Sequence, residues 1–398
     1  MSEPDAAGAG AAAAVPLAGL FAEADRQLTI CNACRYCEGY CAVFPALERR
    51  RDLTSGDITH LADLCHDCRD CYTACMYVPP HEFALNLPAA LSAVRRDTYD
   101  EYLPRVPWPR TRRGAMLAAG LAALAILAVL GFAVGGAGGA GAAAPAAGSP
   151  YRVIAYPALV AVFGLLAAWS VVVMALSAAR YWRATNGRGL ASPAALAAAL
   201  RQAATLRNLR GGGAGCSYPG DEPSGARRRL HGFVAWGFAA CVASTVAAAI
   251  SQDFAGDPPP YPVLSAPVLL GVAGGAGLVI GCAGLLALRR ADGRQPAGDD
   301  PAHSDPARED PALARRGYAL LTGLLLLAVS GLLTLVLRDT AAFGPVLVVH
   351  LAAVAACFAI APYTKFMHAV YRFLALVRDR AEIPQKSLAA AAGRRPYA

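Results

Sequence analysis

The sequence predicts a mainly α-helical protein in two parts, a small cysteine-bearing domain followed by a bundle of six membrane-spanning helices, and three observations predict it. Eight of the 12 cysteines fall into two runs of identical spacing, Cys-x2-Cys-x2-Cys-x3-Cys, at 31–41 and 65–75. Six apolar segments long enough to cross a bilayer follow residue 114. Of the 398 residues, 56% are hydrophobic and only 16% charged, too apolar a balance for an ordinary pair of soluble domains. The formal charge of +8 does not point to nucleic acid, because the basic residues are spread between the apolar segments instead of gathered on one patch.

Residues 1–24 read as a disordered tail. Met1–Pro16 is rich in Ala and Gly, carries Glu3 and Asp5, and lacks the basic n-region of a secretory signal. Residues 25–110 form the cysteine domain, expected to be α-helical and dicluster-ferredoxin-like. Three thiolates on consecutive short loops wrap three corners of one [4Fe–4S] cubane, and the fourth, carried onward by the chain, reaches the neighbouring cube. This assigns Cys31, Cys34, Cys37 and Cys75 to the first cluster, and Cys65, Cys68, Cys71 and Cys41 to the second. Structural zinc favours two separated Cys-x2-Cys knuckles, and disulfides favour secreted chains, so both are weaker readings. Ala42 and Met76 stand after the fourth cysteines where ferredoxins place Pro, and Pro45 and Pro79 follow later.

Of the other residues in this domain, His60, His66 and His81 read as surface groups or neighbours of the cysteine ligands, with His66 placed to tune a potential. Arg35 and Arg69 share one register in the two runs and either offset cluster charge or lie solvated. Arg49 to Arg51 form a wet face or a docking site for an acidic partner.

Residues 111–375 form the membrane domain, with spans near 115–134, 153–178, 231–250, 263–288, 317–337 and 346–370, and 376–398 form a cytoplasmic tail. Arginines are dense before the first span, between the second and third, between the fourth and fifth, and after the sixth. The opposite loops carry only Arg152 and Arg338. The positive-inside rule therefore places both termini and the cluster domain in the cytoplasm, with the chain multi-pass in the cytoplasmic membrane. Residues 135–150 read as a flexible outer loop, and 211–225 and 291–311 as loops. Ser192 and Pro193 open a helix whose stripe of Leu196, Leu200 and Ala203 lies either on the inner membrane surface or on the cluster domain.

Three histidines occur in spans or at their edges, where an ionisable group is a functional hypothesis by default. His231 opens the third span and His368 closes the sixth on the same side, so the pair is expected to hold a haem b. The alternative is that both simply snorkel. His350, 18 residues before His368, projects from the same face of one continuous helix, separated by about 27 Å. It is a candidate to bind quinone or, with Cys241 as the only partner at that depth, a second haem; a structural role is the alternative. Cys241, Cys282 and Cys357 read as apolar packers, and Cys216 has no evident partner.

These residues resemble the tricarballylate-utilisation protein B family, also called CitB/TcuB. The likeness rests on Cys-Asn-Ala-Cys-Arg-Tyr-Cys-Glu-Gly at 31–39, Phe44-Pro45-Ala46, Cys65-His66-Asp67-Cys68 and Pro79-Pro80-His81-Glu82-Phe83. It continues through the glycine-rich loop ending Cys216-Ser217-Tyr218-Pro219, His231, and Pro362 to His368. The membrane half is similar to the cytochrome b subunit of respiratory nitrate reductase, whose last helix has two haem-ligating histidines at the same 18-residue spacing. That subunit's partner helix carries two histidines where this chain has His231 and then Cys241.

The resemblance implies a protein that reoxidises the FAD of a separate tricarballylate or related tricarboxylate dehydrogenase and passes electrons to membrane quinone, with no catalytic residue of its own. No Gly-x-Gly-x-x-Gly fingerprint follows a strand here, which assigns the flavin to another chain. Alternative functions are a quinol-dependent reductase running electrons the other way, an electron donor in cobalamin biosynthesis, and a non-catalytic redox sensor or anchor.

Overall fold

The computed structural model describes residues 17–99, 101–104, 148–187, 192–213, 215–218, 220, 222–292 and 311–383. The expected first span at 115–134 lies outside them, as do most of the two predicted tails and of the 135–150 and 291–311 loops. Among the described residues the protein is helical, with no strand beyond an isolated antiparallel bridge between Cys216 and Ser224.

The cysteine domain is built from α1 (Leu17–Cys34), α2 (Val43–Glu48), α3 (Ser55–Leu64), α4 (Asp70–Thr73) and α5 (Leu87–Thr98). Thr54 starts α3 with a reciprocal capping box: its hydroxyl accepts from the Asp57 amide at 3.2 Å, and the Asp57 carboxylate accepts from the Thr54 amide at 3.3 Å. The other end of α3 leads directly into Cys65. There the buried Arg95 of α5 donates to the carbonyls of Ala62 (2.5 Å) and Cys65 (2.9 Å), placing a cation where the helix dipole is negative. Leu28, Leu47, Leu61, Leu64 and Leu91 close the core between these helices.

The rest of the chain contributes α6 (Tyr156–Ala184), the short α7 (Pro193–Ala204), α8 (Ala226–Asp253), α9 (Ala266–Asp292), α10 (Pro311–Val336), α11 (Phe343–Ile360) and α12 (Met367–Glu382). Five segments are long and apolar enough to cross a membrane: 156–184, 226–253, 266–291, 317–336 and 343–363. Their large apolar side chains stay exposed, among them Leu165, Val172, Trp236, Ile250 and Val336, as lipid-facing surfaces require. Helices α8 and α9 approach backbone to backbone. A Cβ on Gly237 would lie 2.9 Å from the Gly274 carbonyl oxygen, and one on Gly274 would lie 2.8 Å from the Gly237 oxygen, so neither position tolerates a larger residue without separating the pair.

The last span departs from expectation. One helix over 346–370 is corrected to a helix ending at Ile360, a 3-10 turn over Ala361–Tyr363, an extended Thr364, and a new helix from Met367. Pro362 supplies the physical reason, since it has no amide to continue the ladder and its ring displaces the preceding turn. His350 and His368 therefore do not share a face of one helix.

Helix α12 turns back onto the cysteine domain, where Ala375, Leu376 and Val377 enter its core. The run Arg49–Arg51, expected to be wet or to dock a partner, is largely consumed here. Arg49 pairs with Asp379 at 2.5 Å, and Arg50 with Asp57 at 3.0 Å and Glu382 at 2.7 Å, while Arg378 pairs with Asp57 at 2.7 Å. Asp57 is pushed up by burial, but hydrogen bonds from Thr54, Arg378 and Arg50 outweigh this and hold it well below the usual carboxylate range. Stacked tyrosines add a second seam, with Tyr181 of α6 and Tyr371 of α12 at 5.0 Å and the Tyr99 hydroxyl on Asp63 at 3.2 Å.

Ser192 caps α7 as expected, accepting from the Ala195 amide at 3.2 Å. The buried face of α7 is Ala195, Ala199 and Gln202, packed on α12 and the cysteine domain, while Leu196 and Leu200 are exposed.

Candidate functional site

Both cysteine runs bend the same way. The residue after the second cysteine is left-handed in each, Arg35 at φ 57° and Arg69 at φ 64°, so the chain reverses and returns the third cysteine towards the first two. The eight thiols then fall into two electrostatic neighbourhoods. Burial pushes Cys31 up to about 12, with Cys75, Cys37 and Cys34 adding to it, and burial with Cys75 and Cys34 pushes Cys37 up to about 11. Cys41 is raised by burial, Cys65 and Cys68, and Cys71 by burial and then chiefly by Cys41, Cys65 and Cys68. Thiols in such company stay protonated unless a cationic centre compensates them.

Cys31, Cys34, Cys37, Cys71 and Cys75 line a cavity of about 540 Å³ counting its open mouth, where Tyr36 and Met76 are exposed. Among the described residues, no three of His, Cys, Asp and Glu converge as the ligands of one ion would. A cubane takes its four thiolates at the corners of a volume, and a cysteine-lined cavity fits that demand. Amides already point at the sulfurs: Asp67 N–H donates to Cys65 at 3.5 Å and Tyr77 N–H to Cys75 at 3.4 Å.

The second group faces the membrane helices. Arg227, in the first turn of α8, donates to the Asp67 carbonyl between Cys65 and Cys68 at 2.5 Å. One helical turn further along α8 is His231, so both side chains leave the same face. His231 meets His368 of α12 with ring centres 6.1 Å apart and planes inclined by 29°. At that separation the two imidazoles are near enough for both to hold one metal centre, as the ligands of a haem would. His368 Nδ1 lies 2.5 Å from the Lys365 carbonyl, which fixes that nitrogen as the donor and leaves Nε2 as the lone pair. His231 Nδ1 is buried without a hydrogen-bond partner.

His350 is elsewhere. Its Nδ1 is 3.0 Å from the Ser330 hydroxyl, and its ring lies against Gly331 of α10, whereas Cys241 lies against Gly274 of α9. His350 and Cys241 thus lie against glycines of different helices. His66 turns Nδ1 to the Leu64 carbonyl at 2.8 Å. His60, expected near the surface or the ligands, is fully buried in α3 with neither ring nitrogen hydrogen-bonded. Sequence reasoning missed Arg95, Arg227 and Asp70 as supports of the cysteine loops; Asp70 and Arg227 carried the signal of a charge close to a cysteine run or a histidine, and Arg95 carried none.

Fold and site define a membrane-associated, mainly helical protein with an N-terminal cysteine domain of iron–sulfur type. The chain belongs to the CitB/TcuB family: the family described as Citrate utilization protein B matches residues 108–390, and its Fer4-like domain matches residues 24–101. It is 39% identical over 379 residues to a protein of Escherichia coli named Citrate utilization protein B, covering 94% of this chain and 95% of that one. No solved structure matches the chain.

Proposed function

We propose that this chain is a membrane electron carrier that accepts electrons from the reduced flavin of a separate FAD-dependent dehydrogenase, acting on tricarballylate or a related tricarboxylate, and delivers them to the quinone pool. Two [4Fe–4S] clusters and one haem b supply the one-electron carriers when bound. Cys31, Cys34, Cys37 and Cys75 would hold the first cluster, Cys65, Cys68, Cys71 and Cys41 the second, and His231 with His368 the haem. Arg227 is the observation that carries the reading: it grips the loop between two ligands of the second group and stands one turn from His231 on the same rigid helix.

The residues give the carrier a direction in space. The first group opens to solvent beside Tyr36 and Met76, where a protein partner reaches it, and the second lies at the start of α8, where Arg227 holds the loop between Cys65 and Cys68. That end carries the cysteine domain, which the positive-inside rule puts in the cytoplasm with both termini. His350, held by Ser330 further along the bundle, is the group offered to quinone in this reading.

An anaerobic optical and EPR titration tests the proposal, with iron, labile sulfide and haem measured on the same sample. About eight non-haem irons and one bis-histidine haem per chain are expected. His231→Ala and His368→Ala each remove the haem spectrum and leave the clusters; retention of the haem in both variants would sink the ligand assignment.

A further inference from the structure

Cys216 belongs to the loop between α7 and α8, far in sequence from the cysteine runs, yet it is fully buried against Cys68. Its Sγ donates to the Leu209 carbonyl at 3.2 Å, and the side chain packs in one buried cluster with Cys68 and Leu209. Several contacts hold it there. Asp70, placed between Cys68 and Cys71, accepts from the amides of Gly212 and Ser217, each at 2.8 Å. Gly211 is left-handed at φ 57°, and a Cβ on it would stand 1.7 Å from the Asp70 carboxylate. The bridge from Cys216 to Ser224 fixes the loop on its other side, with N–O distances of 3.0 and 2.9 Å. The Arg69 and Arg227 guanidiniums each lie over the Tyr218 ring, at 5.1 and 4.9 Å from its centre.

A packing role would ask only for a small apolar side chain. The site instead holds the S–H on the Leu209 carbonyl, packs the sulfur against Cys68, and surrounds both with a loop anchored on the cysteine run itself. We propose that Cys216 is a positioning residue of the second cluster, its thiol donating to the Cys68 sulfur once that sulfur is a metal-bound thiolate and so raising the cluster's reduction potential. A donor aimed at a ligand sulfur stabilises the charge added on reduction. The inference rests on the cluster assignment above.

The test is an EPR-monitored redox titration of the full-length protein, with iron counted, on the parent, Cys216→Ala and Cys216→Ser. In Cys216→Ala one of the two cluster couples falls about tenfold in reduced-to-oxidised ratio at fixed potential, about 59 mV for one electron, while the other stays put. Cys216→Ser keeps a donor and returns the couple towards the parent value.

Unmoved couples in Cys216→Ala at full iron content overturn the proposal. So does a Cys216→Ser shift as large as that of Cys216→Ala. Loss of half the iron in Cys216→Ala would make Cys216 a ligand and overturn it equally. A parent protein without two cluster couples would instead defeat the cluster reading itself, which separates the two failures.

Discussion

The two cysteine groups share their spacing and their left-handed arginine, but the chain treats them differently. The first is open, with Tyr36 61% and Met76 67% exposed at its mouth. The second is closed: Cys65 and Cys68 are buried, the 211–218 loop is anchored over them, and Arg227 ties them to α8. Identical cysteine runs thus end in different surroundings, and the difference is imposed by residues well over a hundred positions away. Local sequence specifies what can be bound; distant sequence specifies who can reach it.

The largest effect that would break this comparison is loss of one group alone. Cys71→Ser should remove about half the non-haem iron and leave the other cluster's EPR signal, whereas complete loss would mean that the groups do not act separately.

Next is the clamp that holds α12 on the cysteine domain. Arg378→Ala strips a cation from a mostly buried network and leaves Asp57 and Glu382 short of a partner, a cost of about 3 kcal/mol read as a lowered midpoint in thermal unfolding in detergent. The same network predicts acid sensitivity. Because folding depresses the Asp57 pKa, its contribution is fully present above the unfolded value of about 3.9 and is lost as pH falls through the lower folded value. Asp57→Asn should flatten the decline in thermal stability below about pH 4; an unchanged slope would remove Asp57 from the account.

The smallest effect sharpens the open side. Tyr36→Ala with Met76→Ala should slow reduction by a flavoprotein partner several-fold, while stopped-flow reduction by dithionite and both potentials stay unchanged. Equal slowing with dithionite would show damage to the cluster and not to docking.

Much of this was legible in the sequence because it is local. The eight cysteines are read from spacing, five described spans from apolar runs, and the start of α7 from Ser192 and Pro193. What escaped depends on contacts between remote segments. Arg49 and Arg50 look like a solvated charge run until α12 brings Asp379 and Glu382 onto them. Cys216 looks unpartnered until the glycine loop folds over Asp70. The break between Ile360 and Met367 was available from Pro362, but the apolar run around it and the 18-residue histidine spacing both argue for continuity. His368 nonetheless reaches His231, by way of a turn instead of a straight helix.

The return of α12 onto the cysteine domain has a consequence for how the protein is made. Ala375, Leu376 and Val377 belong to the core that otherwise comprises residues near the N-terminus and Ala199. A chain leaving the ribosome completes its cysteine runs early, but the helix that closes their domain arrives about 290 residues later, roughly 15 to 60 s at ordinary synthesis rates. Throughout that interval the nascent domain lacks one wall while the spans are being inserted. Closure of the cysteine domain is therefore coupled to completion of the rest of the chain, and a chain truncated before Met367 would carry all eight cysteines of the two runs yet lack the helix that packs on their domain.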